Sequence, residues 1–115
     1  MAITVWAIGY DTADAEKLAR FWSEVLQRPV RDGATPEFAA IEVADGAPLL
    51  SFHQVPEGKT VKNRMHPDLV STEFDTDVER LLGLGAIQLN DVRKGSAHWI
   101  TFADPEGNEF DLIAG

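Results

Sequence analysis

Apolar positions recur at two periods along this chain, and the switch between them divides it into elements. ITVWAIGYD, residues 3–11, alternates well enough for a strand. The next stretch, ADAEKLARFWSEVL (13–26), sets Leu18, Phe21, Trp22 and Val25 at the spacing of a helix with one buried stripe. Thr12 or Asp14 offers an N-cap, and Gln27-Arg28-Pro29 ends the helix. Strands are expected over 38–43 and 49–55, with Asp45-Gly46 as a turn near them. PEGKTVKNRMHPD (56–68) has two prolines, a glycine and four bases, with only Val61 and Met65 apolar, which is the composition of an exposed linker. A strand near 68–74 follows, then a helix over 75–84 with Val78, Leu81 and Leu82 inward and Gly85 as its stop. A strand over 86–92 leads to a closing hairpin of HWITFA (98–103) and NEFDLI (108–113). Asp104-Pro105-Glu106-Gly107 between them suits a type I turn: Asp first, Pro second with φ preset, Gly fourth.

Read as a series, this is strand, helix, strands, linker, then strand, helix, strands. The halves also share text. Ile41-Glu42-Val43-Ala44-Asp45-Gly46 lines up with Ile100-Thr101-Phe102-Ala103-Asp104, followed shortly by Gly107. Internal duplication of this kind implies one structural unit used twice. A half of roughly 55 residues would be marginal alone, so the two are expected to pair and leave a cleft between them.

Composition narrows the chemistry. At 115 residues the chain has the length of one domain. It has no cysteine, which excludes disulfides, zinc–thiolate sites and thiol nucleophiles. A formal charge of −9 argues against nucleic acid and anionic membrane surfaces as partners. No basic, apolar leader is visible at the start and no apolar run approaches membrane-spanning length, so a cytoplasmic location is expected. No Gly-x-Ser-x-Gly elbow and no phosphate-binding glycine loop appears, and DPEG lacks the alternating oxygen ligands of a calcium loop.

Four stretches carry a family resemblance: LARFWSEVL (18–26), KNRMHPDL (62–69), VERLLGLGA (78–86) and above all ADPEGNEFDL (103–112). Over essentially its whole length the chain resembles a glyoxalase-like member of the vicinal oxygen chelate superfamily. The resemblance implies an α+β fold of two tandem βαβββ modules, about 1–57 and 64–115, joined by a linker at 58–63. The modules would form an incomplete barrel around a cleft, helices outside. That scaffold serves isomerases, epimerases, dioxygenases, drug-sequestering proteins and thiol transferases, so it implies no single reaction.

Metal-using members of the family take ligands from the first and last strand of each module. Carried over residue by residue, the last strand of the second module offers Asp111, where relatives often have Glu. Strand alternation turns Asp111 away from Phe110 and Leu112, so it is either a solvated strand residue or part of a site. The first strand of that module offers His66, kept extended by Pro67. In the first module the last strand offers Ser51 or His53, two apart on one face, of which only His53 is a good ligand. Its first strand places Ala7 at the expected position, which cannot bind metal. The implied cofactor is one divalent ion (zinc, nickel, manganese or iron), held by His66, Asp111 and His53, with no metal at all as the alternative. Glu42 and Thr101 occupy equivalent repeat positions; Glu42 would be the base and Thr101 a substrate contact. Ser51 would be another contact, and Trp6, Phe52 and Trp99 would wall the cleft, with plain packing the alternative for Trp6 and Trp99. His98, beside Trp99, reads as a structural or rim residue.

Two functions follow from different classes. One is a metal-assisted lyase or isomerase acting on a small oxygenated metabolite. The other is a metal-free small-molecule binder of the bleomycin-resistance type. A homodimer completed by exchange between chains is compatible with either.

Overall fold

The computed structural model describes residues 5–115; the first two residues of the strand expected over 3–11 lie outside that range. The chain divides into two compact units, Met1–Gly58 and Lys59–Gly115. The first holds β1 (Ala7–Thr12), α1 (Ala15–Leu26), β2 (Phe38–Ile41) and β3 (Leu49–Gln54). The second holds β4 (Asp68–Ser71), α2 (Phe74–Gly83), β5 (Ile87–Lys94), β6 (Ala97–Ala103) and β7 (Glu109–Ala114).

In the first unit the strand order is β1-β3-β2. β1 runs parallel to β3, and β2 antiparallel to it. The further strand that a βαβββ module requires, between α1 and β2, is reduced to one bridge, Val30 to Ile41. Pro29 on one side has no N–H to give a ladder, and a turn at Asp32-Gly33 closes the other. α1 begins where Asp14 takes the cap, its Oδ1 accepting from the Lys17 amide at 3.1 Å. The helix buries Leu18, Phe21, Trp22 and Val25, the expected stripe, together with Ala15 and Ala19. Each large apolar side chain buried there is worth roughly 1.5–3 kcal/mol. Tyr10 of β1 stacks on Phe52 of β3 at 5.1 Å and tilts against Trp22 at 5.8 Å, so strands and helix share one aromatic core. Gln27 closes the helix in the left-handed conformation, and Arg28 then turns inward to donate to the carbonyls of Glu42 and Pro48.

In the second unit the order is β4-β7-β6-β5, with β4 parallel to β7 and the remaining pairs antiparallel. Neither this sheet nor the first closes into a barrel. Phe110 and Leu112 are buried, as are Ile100 and Phe102 opposite them. α2 is less embedded than expected. Leu81 is buried, but Leu82 is 40% exposed. Phe74, Val78 and Leu81 fall on one helical face by the i, i+4, i+7 rule, and Leu82 lies beside it. Ser71 organises the start of this helix, accepting from the Glu73 amide and donating to Asp77.

The turn at 104–107 forms as read, with the Gly107 amide on the Asp104 carbonyl at 2.9 Å and Gly107 at φ +88°. Asp104 adds what the turn type alone does not. Fully buried, its carboxylate accepts from the amides of Glu106 and Asn108 and from the Asn108 side chain. The preceding linker is tied to β7 by an ion pair between Lys62 and Glu109. Hydrogen bonding from Lys62 holds the Glu109 carboxyl below the usual range, with smaller contributions from the charges of Lys62, Lys59 and His66.

Two outcomes are expected. Asp104→Ala strands two turn amides and should lower unfolding free energy by about 3 kcal/mol, read by urea denaturation. Lys62→Ala should raise the Glu109 carboxyl pKa in an NMR titration. Because that pKa is depressed in the folded state, the stabilisation is present above the unfolded value. It fades as pH falls through the folded value, so the wild type should lose more stability than the variant on acidification.

Candidate metal and ligand site

Two of the residues singled out by sequence, His66 and Asp111, come together with Asp68 where two neighbouring strands of the second unit pair. β4 and β7 pair in parallel with Asp68 opposite Asp111. Pro67 extends this pairing by one step, its carbonyl accepting from the Asp111 amide at 3.1 Å. His66 is therefore laid alongside β7 before β4 begins. Alternation puts residues 66 and 68 on one face and turns Asp111 to the face opposite its buried neighbours.

The resulting distances are short. His66 Nδ1 lies 2.9 Å from Asp68 Oδ1 and 3.9 Å from Asp111 Oδ2. Donor atoms from His66, Asp68 and Asp111 all fall within 4.8 Å of one another. Asp111 is oriented by Thr101 across the β6–β7 pair, whose Oγ1 donates to Oδ1 at 2.5 Å. One carboxylate oxygen is thus held by the sheet and the other is turned towards His66. An imidazole nitrogen and two carboxylates form a donor set suited to a divalent ion such as manganese, iron or zinc, and three protein donors leave positions for exchangeable ligands.

The other expected residues are placed differently. His53 and Ser51 share a face of β3, with His53 Nε2 3.1 Å from Ser51 Oγ, and the His53 ring packs edge-on to Phe38. No other donor of the kind joins them into a cluster of three among the described residues. Gly9 of β1 faces the same side, since a side chain there would begin 3.4 Å from Ser51 Oγ. Phe52 is wholly buried and stacks on Tyr10. Glu42 is engaged by Arg31. Its carboxylate accepts both Nε and Nη2 of Arg31, at 3.0 and 2.9 Å, and the hydrogen bonding holds its pKa below the usual range, opposite to what a general base needs. Trp6 is 73% exposed, while Trp99 is half-buried on β6. His98 pairs with Asp91 at 2.7 Å and packs on Phe74, a bracing role.

Asp68 is the residue that sequence reasoning missed. The signal was present: His66-Pro67-Asp68 is a ligand-x-ligand spacing in an extended segment, which places both side chains on one face.

No described helix is long and apolar enough to cross a membrane. No curated protein matches the chain in sequence. Among solved structures, the fosfomycin resistance protein FosX from Listeria monocytogenes matches with a TM-score of 0.78 at 18% identity, covering 100% of this chain and 95% of that one. A variant of that protein has been solved with Mn(II) and 1S,2S-dihydroxypropylphosphonic acid. A glyoxalase/bleomycin resistance protein/dioxygenase family enzyme from Burkholderia phytofirmans matches at 0.73 and 17% identity, over 94% of this chain and 95% of the other. Lactoylglutathione lyase from Agrobacterium tumefaciens matches at 0.67 and 13%, over 97% and 93%. At these identities the structures speak to the fold. The model of the glyoxalase-like domain matches residues 7–113, nearly the whole chain, and with it the protein belongs to the glyoxalase-like domain family.

Proposed function

We propose that the chain binds a small oxygenated metabolite at the face of the second sheet carrying His66 and Asp111, with one divalent ion, in a glyoxalase-type lyase or isomerase role. The observation that carries this reading is the approach of His66 Nδ1 to Asp111 Oδ2 at 3.9 Å, on a carboxylate already oriented by Thr101. When bound, the ion would supply Lewis-acid polarisation of a ligand oxygen. The chain's own part is to hold that geometry. The β4–β7 pairing sets the spacing, Thr101 fixes the carboxylate, and the Lys62–Glu109 ion pair fastens the segment leading to His66. Small-molecule chemistry of this kind agrees with the Mn(II) and diol phosphonate bound by the Listeria relative. The tandem-module reading is supported by the two sheets. In each, the first strand pairs parallel with the last, and the last pairs antiparallel with the strand before it.

A metal-free binder remains the second reading, favoured by the exposed indole of Trp6 and by the absence of a metal-binding side chain at Ala7. The deciding experiment is metal titration of untagged protein with Mn(II), Zn(II), Ni(II) and Fe(II). Stoichiometric binding at micromolar metal is expected. It should be weakened by more than about 100-fold in His66→Ala and Asp111→Ala, beyond what the loss of a merely supporting residue costs. Absence of binding by the wild type overturns the proposal and leaves the metal-free reading, which a tryptophan-fluorescence ligand screen then tests.

A further inference from the structure

We infer that Asp68 is the third protein donor of this site, so that the second unit alone supplies the full donor set and His53 contributes nothing. The inference rests on the metal reading above and goes beyond it in naming a third donor on the second unit's own first strand. β1 places Ala7, Gly9 and Asp11 on the face shared with Ser51 and His53, and no three donors gather there among the described residues. Asp68, by contrast, stands directly opposite Asp111 in the parallel register and 2.9 Å from His66 Nδ1.

Three physical points support this assignment. Around an ion with bonds of about 2.1 Å, neighbouring donor atoms lie about 3.0–3.5 Å apart at angles between octahedral and tetrahedral. The separations of 2.9 and 3.9 Å from His66 Nδ1 bracket that interval, so these side chains need only small rotations to share one ion. Secondly, two carboxylates opposite one another on adjacent strands repel, and a cation between them removes the repulsion. Thirdly, Asp68 is exposed and its carboxylate is engaged by His66, itself a member of the cluster.

The competing role for Asp68 is to orient His66 through Nδ1 while the other ring nitrogen binds. Asp68→Asn separates the two, because an amide oxygen still accepts from an imidazole N–H but is a poor ligand. The experiment titrates Mn(II), followed by loss of the free-ion EPR signal, into wild type, Asp68→Asn, His66→Ala and His53→Ala. Visible spectra of the Co(II)-loaded proteins report the coordination sphere, and thermal melts confirm folding. We expect Asp68→Asn to weaken Mn(II) at least about tenfold and to change the Co(II) spectrum, with His53→Ala indistinguishable from wild type. Wild-type affinity and an unchanged spectrum in Asp68→Asn would overturn the inference while leaving the metal reading intact, provided His66→Ala loses binding. A loss in His53→Ala would overturn it too, by placing a donor in the first unit. If the wild type binds no Mn(II), both readings fall together.

Discussion

The parallel pairing of β4 with β7 is the constraint on which the rest of the site depends. It sets Asp68 beside Asp111, and through the Pro67 carbonyl it brings His66 into the same row. Side chains on a strand alternate with period two, so a slip of one residue would send a strand's whole set to the opposite face. The register is held by what lies on that opposite face. Phe110 and Leu112 are buried, and turning them outward would forfeit several kcal/mol of apolar burial. The polar row is therefore positioned by the hydrophobic one. Pro67 adds local stiffness, since it keeps residue 66 extended and out of the helical region.

The same rule applied to the first unit yields a face without charge at the corresponding pairing. Gly9 stands opposite Ser51 where Asp68 stands opposite Asp111. The basic side chains of that unit are spent on structure: Arg28 holds the carbonyls of Glu42 and Pro48, and Arg31 holds the Glu42 carboxylate. Both units pair their first strand parallel with their last, while the His/Asp cluster lies in the second. The stretch after α1 in the first unit makes only one bridge, because Pro29 removes an N–H that a full strand would use.

Much of this was legible before any coordinates. The α1 stripe and the 104–107 turn each rest on a local rule that leaves little room for tertiary override, and both form as read, while the cap falls to Asp14, one of the two residues read for it. The face of Asp111 followed from the alternation Phe110-Asp111-Leu112. Other placements were not legible, for identifiable reasons. LLSF offers apolar residues at adjacent positions, so alternation could not say that Phe52 points to the helix and Ser51 away. Glu42 and Arg31 are eleven residues apart in sequence and meet only through the backbone bonds around β2, a contact that no periodicity encodes. Asp68 fell at the seam between a segment read as linker and a segment read as strand, where element boundaries are least certain. Its spacing from His66 was visible, but nothing in the sequence says that β4 pairs with β7 rather than with a neighbour in the chain.

An aspartate at 111 fits this local geometry. A shorter side chain keeps its carboxylate close over its own strand. There it can be reached from both sides: by the Thr101 hydroxyl across β6, and by His66 along the β4 edge. A side chain longer by one methylene would carry its oxygens past Thr101 and lose the hydrogen bond that now fixes one of them. The aspartate at 111, the threonine at 101 and the second aspartate at 68 are consequently one arrangement. Asp111 on β7 stands between the other two, with Thr101 on β6 to one side and Asp68 on β4 to the other.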